Sequence, residues 1–443
     1  MFPAFYSART SDRRRVASKL ALALALTTGT AVGVAGFAEP AYAQKKKEAK
    51  SENSKAFVEA YQPIDAAFKA VAEGGDYSAA KAQVPAMVAA IENADDRMVA
   101  GQMALVIGNK AKDPVLQRQG LELMLASGKV APEQVGQFQY FVGSLAYQAK
   151  DYAASRTALE AAVAAGYSDE QLPALMAESY FGSQANKEGL AYLTKAAQER
   201  QAAGQPVPES WLLRGLQVAY ETKDAAASNN LAALLVASSP TAKNWQAALQ
   251  VVREVNSAWG TEEILDLSRL MMVSGGMKIE NDLIEYIDAA DPRKLSNEVL
   301  AALDAGTKAG LITAGEPRFA EVREIAQSRS AADKADAAKA KSSTPATGTA
   351  ALGNADLLLS VGDYAAAEAM YQTAIDKGGI DANRALTRKG IVQARQGKTA
   401  EAEATFAQVQ GARAPLAKLW SIYTEKGTAA PATATAVAPT PVS

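Results

Sequence analysis

The sequence feature that most constrains this chain is a short corner that recurs between segments of helical period. Its fullest form is Gly-Asp-Tyr-Ala-Ala-Ala at residues 362–367, and relatives of it occupy residues 75–80 and 150–155. Glycine closes a helix in the left-handed conformation without a Cβ penalty, and aspartate caps the next helix by accepting from its free N–H groups. Each corner therefore predicts a helix hairpin. Because one hairpin cannot bury its own apolar face, the recurrence predicts a stack of them.

The composition favours an all-α protein of this kind. Of the 443 residues, 49% are apolar but only 7% are aromatic, and the apolar fraction is rich in alanine. Alanine has the highest helix propensity, whereas strands favour β-branched and aromatic residues. We therefore expect helices throughout the folded part of the chain.

The chain contains neither cysteine nor histidine. Their absence excludes thiol nucleophiles, histidine general bases, Ser-His-Asp triads, Cys/His zinc sites and histidine-ligated haem. Chemistry that uses only carboxylates, or serine with lysine, stays open. We expect a protein that is not an enzyme and that carries no cofactor or metal.

Two windows of the sequence share one longer spacing rule. After Trp211, four residues follow at offsets of 4, 16, 20 and 29: Gly215, Ala227, Leu231 and Pro240. In a later window, Leu386, Gly390, Ala402 and Phe406 occupy the equivalent first four positions. This spacing resembles the tetratricopeptide repeat (TPR), a 34-residue helix hairpin. The resemblance extends over about two-thirds of the chain after residue 43 and implies an all-α, TPR-like solenoid. It indicates the fold strongly and the function weakly.

Residues 1–43 have the pattern of a secretory signal peptide. A basic start is followed by an uncharged apolar run, and Ala41-Tyr42-Ala43 forms a small-x-small cleavage site before Gln44. We expect cleavage between Ala43 and Gln44, and a periplasmic or secreted protein exported by the Sec route rather than the twin-arginine route. The alternative is an uncleaved anchor helix. After cleavage we expect no integral membrane span.

The sequence also predicts how the mature chain is divided. A helical, TPR-like array is expected over 44–327, and a low-complexity linker over 328–350, where Ala, Lys, Asp, Ser and Thr dominate. The first half of this linker, Ala331 to Lys341, is open to a lone polar helix, and the second half is expected to be flexible. A separate TPR pair with a capping helix is expected over 351–426. The Ala/Thr/Pro-rich residues 427–443 are expected to be a disordered tail.

One polar set is singled out as a candidate binding surface. Arg384, Arg388 and Arg395 are spaced i, i+4 and i+11, which places them on one helical face. The TPR resemblance implies that the first helix of each repeat lines a concave groove, so these arginines are expected to face a partner. The alternative is an ordinary solvated face.

The predicted function is a protein–protein interaction scaffold in the bacterial cell envelope, which binds a peptide or helix of a partner in a concave groove. The net charge is −2 for the whole chain, so nucleic acid is not an expected partner. One alternative is an envelope assembly or maintenance factor within a multiprotein complex, and a weaker one is a carboxylate-only cell-wall hydrolase. The sequence leaves the partner's identity and the oligomeric state open.

Overall fold

A computed structural model of the chain describes residues 53–72, 74–313 and 315–429. Within these ranges the regular structure is helical, apart from one isolated parallel bridge between Thr241 and Ala429. The predicted signal peptide, with its cleavage site at Ala43 and Gln44, lies outside the described residues. The chain divides into two compact units, one ending at Tyr192 and the other beginning at Leu193.

The N-terminal unit is a succession of antiparallel helices whose apolar faces form two clusters. One cluster is centred on residues such as Phe57, Ile64 and Met87, and the other on Phe141 and Leu159. The helices are α1 (Lys55–Lys69), α2 (Ser78–Ala89), α3 (Ala94–Lys110), α4 (Pro114–Ala126), α5 (Pro132–Gln148), α6 (Tyr152–Ala164) and α7 (Leu172–Gly182). The next helix, α8 (Asn186–Ala202), begins in this unit and ends in the second.

The C-terminal unit continues the same pattern of paired helices. They are α9 (Glu209–Glu221), α10 (Ala225–Ser238), α11 (Ala242–Val255), α12 (Thr261–Val273), α13 (Glu280–Ala290), α14 (Ser296–Lys308), α15 (Pro317–Lys341), α16 (Gly348–Ser360), α17 (Tyr364–Lys377), α18 (Ala382–Arg395), α19 (Thr399–Phe406) and α20 (Ala414–Lys426). A short 3₁₀ turn, Gly411–Arg413, precedes α20.

The corners that join the helices have the chemistry that the sequence predicts. Four of them place a residue of positive φ directly before an aspartate that caps the next helix: Lys112-Asp113, Lys150-Asp151, Lys223-Asp224 and Gly362-Asp363. Asp363, for example, accepts a hydrogen bond from the backbone N–H of Ala366 at 3.2 Å. At the first corner, Gly74 rather than Gly75 has the positive φ, 78°.

Small residues let the two helices of a hairpin approach closely. Gly143, Gly215 and Gly390 each face the second helix of their own hairpin. A Cβ added to Gly390 would lie 2.5 Å from the ring of Phe406, so only glycine fits there without a shift. Gly215 and Gly390 are the glycines at the repeat position that the sequence singles out. The predicted all-α, TPR-like hairpin fold is confirmed.

The structure corrects the predicted linker. Its first half is the end of α15, a 25-residue helix, and α16 begins at Gly348, so residues 342–347 alone separate two helices. Ala337 and Ala340 are buried against residues of α16, and the Ser296 hydroxyl donates to the Asp333 carboxylate at 2.5 Å. A polar helix over 331–341 is one of the sequence-based expectations, but its packing is not, because alanines spaced for packing look like low complexity in a polar stretch.

The predicted separate module at residues 351–426 is also corrected. Its helices belong to the same compact unit as α9 to α14, and the capping helix α20 packs against α10 and α12. The indole of Trp420 donates to the backbone carbonyl of Asp266 at 3.0 Å, and that of Trp259 donates to Ala412 at 2.9 Å. The C-terminal helices therefore pack against earlier helices of their own unit.

The first three residues of the predicted disordered tail, 427–429, lie within the described part of the chain. Hydrogen bonds hold residues 427–429 against the ends of α10 and α12. The rest of the predicted tail lies outside the described residues.

Candidate functional site

The face of α18 that was predicted to bind a partner through its arginines belongs instead to a buried charge network. Arg388 is 1% exposed. Its guanidinium donates to Asp266 of α12 at 3.0 Å, to Asp356 of α16 at 2.8 Å and to Glu262 at 2.6 Å. Three helices far apart in sequence are therefore joined through one side chain.

Asp266 is the centre of this network. It is fully buried and accepts from three guanidiniums, those of Arg388, Arg269 at 2.6 Å and Arg413 at 2.7 Å. Arg269 in turn pairs with Glu298 of α14 at 2.6 Å. A buried charge is tolerated only when it is paired and hydrogen-bonded, and these contacts meet that requirement.

Asp356 forms the second centre. Its carboxylate accepts from the hydroxyl of Tyr371 at 2.7 Å and from Arg384 at 2.7 Å, in addition to Arg388. Glu262, at the start of α12, is the more exposed end of the network and pairs with both Arg384 and Arg388. The arginines thus have carboxylate partners from their own chain.

The arginines control the protonation of the buried carboxylates. Burial alone raises the pKa of Asp266, but the charges of Arg388, Arg269 and Arg413 outweigh it and hold the pKa at about 2. The pKa of Asp356 is likewise lowered, because Arg388 and Arg384 outweigh its desolvation. Burial would lower the pKa of Arg388, but the two aspartates raise it. Asp266, Asp356 and Arg388 are therefore charged at neutral pH.

The three predicted partner-binding arginines have different surroundings. Arg388 lies inside the protein, so the expectation that it faces a partner is corrected. Arg384 is partly exposed and paired with Asp356 and Glu262. Arg395 is exposed, and its guanidinium lies 5.4 Å from the ring centroid of Tyr364. A partner contact by Arg395 stays a prediction.

Sequence reasoning missed the acidic half of this network. Asp266 stands in the run Leu265-Asp266-Leu267, and Asp356 stands beside three leucines at 357–359. A single aspartate inside an otherwise apolar helical run is the available signal, because burying it requires a cation nearby. The signal does not say which of the chain's many arginines supplies that cation.

The N-terminal unit offers an open groove between α1 and α3. Tyr61 and Phe68 of α1 face Val99, Gln102 and Val106 of α3 across a cavity of about 220 Å³. Val106 is 39% exposed, although most large apolar side chains of the described residues are buried. The rim carries Asp65 and Lys69, which pair with each other at 2.7 Å. The groove is therefore apolar with a neutral rim.

Residues 53–72, 74–313 and 315–429 contain no cluster of acidic side chains with the spacing of a metal site. No helix in these ranges is long and apolar enough to cross a bilayer.

Comparisons with known proteins add little to this description. No protein-family model and no curated protein matches the chain. A similar solved structure is the TPR2AB-domain:pHSP90 complex of yeast Sti1, with 15% identity over 66% of this chain and 98% of that one, and a TM-score of 0.24. Another is Naa15/Naa10 bound to HypK-THB, with 14% identity over 82% of this chain and 64% of that one, and a TM-score of 0.27. Both scores are below 0.5, so the TPR-like description rests on this chain's own helix hairpins.

Proposed function

We propose that this protein is a non-enzymatic interaction scaffold of the bacterial cell envelope, which binds a peptide or helix of a partner protein. The observation that carries the proposal is the preformed groove between α1 and α3, with its exposed Val106 and its aromatic wall of Tyr61 and Phe68. An amphipathic helix binds such a groove by burying its apolar face. Stacked hairpins present such surfaces without a large ordering cost.

The buried charge network supports a scaffold rather than a hydrolase. A general acid or base must exchange a proton near working pH. Asp266 and Asp356 have lowered pKa values and are enclosed by arginines, so they do not fit that role. The envelope location is supported by the signal-peptide pattern of residues 1–43. An assembly or maintenance role within a larger complex is one form of the same proposal.

The test is an affinity capture from cell-envelope extract with the mature protein and a groove variant. Val106→Glu places a charge in the apolar groove, so we expect partner recovery to fall at least about tenfold. The matched control is Val163→Glu on α6, since Val163 is 50% exposed and lies outside the groove. Equal recovery with all three proteins would refute the groove assignment. Mass spectrometry of the exported protein is expected to show Gln44 as the first residue.

A further inference from the structure

The chain leaves α20 into a short extended segment, residues 427–429, that crosses the start of α11. Gly427 has a φ of 64° and turns the backbone out of the helix. Its carbonyl accepts from the indole N–H of Trp245 at 3.3 Å. The N–H of Ala429 donates to the carbonyl of Pro240 at 2.8 Å.

The contacts of this segment are directed mainly at its backbone. Ala429 forms a parallel bridge with Thr241, as an added strand does at a sheet edge. A side-chain hydrogen bond comes from the Thr428 hydroxyl, which donates to the carbonyl of Ser274 at 2.9 Å. The surface therefore bonds a carbonyl, a hydroxyl and an N–H on the three consecutive residues 427–429.

The groups that make these contacts are held by bonds that do not involve the segment. Thr241 caps α11 by accepting from the N–H of Asn244 at 3.2 Å, and the Asn244 amide donates to the Ser239 carbonyl at 3.0 Å. Trp245 is fully buried. These bonds fix the turn between α10 and α11, which carries Pro240 and leads into Trp245, without any contribution from the segment.

We propose that Pro240, Trp245 and Ser274 form an acceptor site for an extended peptide, and that residues 427–429 are its resident occupant. The ligand class is an extended segment with Ser or Thr at its centre, followed by a residue other than proline. This site belongs to the C-terminal unit and does not rest on the proposed function of the α1–α3 groove.

The resident segment competes strongly with any free peptide because it is tethered. Gly427 directly follows α20, so the effective concentration of the segment is in the millimolar range or higher. A free peptide is therefore expected to bind measurably only after the segment is removed or disabled. Peptide binding that appears only after the segment is removed would distinguish an acceptor site from a segment that merely continues α20.

The indole N–H of Trp245 gives a direct readout by NMR. The chain has four tryptophans, and a Trp245→Phe variant assigns the relevant resonance. In a protein that ends at Lys426, the Trp245 resonance is expected to move from its full-length position. A six-residue peptide with the sequence of 426–431, added at millimolar concentration, is expected to shift this resonance back to its full-length position. The Trp259 indole, which bonds Ala412, is the internal control and is expected to stay in place.

Two peptide variants test the recognition rule. Proline at the position of Ala429 removes the N–H, and valine at the position of Thr428 removes the hydroxyl. Each is expected to weaken binding about tenfold, the usual effect of one lost hydrogen bond. The Ala429→Pro substitution in the full chain repeats the test without truncation, in case truncation also moves the Trp259 resonance.

Three results would overturn the proposal. In the first, truncation leaves the Trp245 resonance unchanged. In the second, the resonance moves but several millimolar peptide does not return it. In the third, the peptide shifts the full-length protein as strongly as the truncated one.

Discussion

At the scale of single residues, Asp266 has the most demanding environment in the C-terminal unit. It is fully buried, and three arginines from three segments donate to its carboxylate. Such a cluster is costly to assemble, because several charges leave water. Asp266 is the carboxylate that the three arginines share, although each of them also contacts a second carboxylate.

We therefore predict a large loss of stability in the Asp266→Asn variant. The amide keeps the shape but removes the one negative charge that all three guanidiniums contact, so the buried cluster is left with an excess of positive charge. The free energy of unfolding at neutral pH is expected to fall by about 3–5 kcal/mol. Urea unfolding followed by tryptophan fluorescence measures it.

The stability lost in the Asp266→Asn variant is expected to depend on pH. The folded-state pKa of Asp266, about 2, is below its usual value, so its contribution is complete above about pH 4 and is lost as pH falls toward 2. The difference between wild type and Asp266→Asn is expected to shrink over that window. The control is the Asp304→Asn variant. The carboxylate of Asp304 is 68% exposed and pairs with Arg323, so its loss is expected to lower the free energy of unfolding by less than about 1 kcal/mol. Equal losses for the two variants would contradict the assignment.

At the scale of secondary-structure elements, the corners are the most predictable feature. Gly362 and Asp363 perform the roles that their chemistry indicates, and Lys150-Asp151 does the same with a non-glycine residue in the left-handed region. Local spacing suffices here because cap and turn chemistry involves neighbours in sequence. The break between α15 and α16 was not predictable in the same way, since the packing of Ala337 and Ala340 is tertiary.

The corners that have lysine in place of glycine hold this residue in a strained backbone conformation, and substitution can test the cost. Lys223 has a φ of 56°, a region that costs a residue with a Cβ about 1–2 kcal/mol. Lys223→Gly is expected to raise the free energy of unfolding by about 0.5–1 kcal/mol, after glycine's larger entropy loss. Thermal unfolding measured by circular dichroism gives the change.

Two variants complete that experiment. Lys223→Ala removes the charge but keeps the Cβ, so it is expected to give no gain. Gly362→Ala is expected to lose about 1 kcal/mol from strain alone, because no atom lies within 4 Å of the added Cβ. A gain from Lys223→Ala equal to that from Lys223→Gly would show that the lysine charge, not the backbone, is responsible.

At the scale of the whole molecule, the C-terminal unit depends on contacts between its last helices and α12. Arg388 and Arg413 reach Asp266, and Tyr423 donates to the carbonyl of Val273 at 3.1 Å. The predicted partner-facing arginines are thus engaged within their own unit. In the N-terminal unit, the groove between α1 and α3 stays open.

We predict that cutting between α15 and α16 does not release a folded module. A site for a sequence-specific protease, inserted between Thr344 and Pro345, lies in the short exposed connection. After cleavage the two pieces are expected to elute together in gel filtration, even at high salt, because the charges that join them are buried and poorly screened. Separate elution of a folded C-terminal piece would instead support the flexible linker that the sequence predicts. The uncleaved protein and the cleaved protein in urea are the reference points.

Sequence and tertiary structure therefore account for different parts of this protein. The helix period, the caps, the left-handed turns and the crossing glycines such as Gly215 and Gly390 follow from spacing, because each depends on residues within one hairpin. The partners of Arg388 are Asp266, 122 residues away, Asp356 and Glu262. No local rule selects those partners, since burial and pairing are decided only when separate hairpins pack together. That packing places Arg388 inside the C-terminal unit.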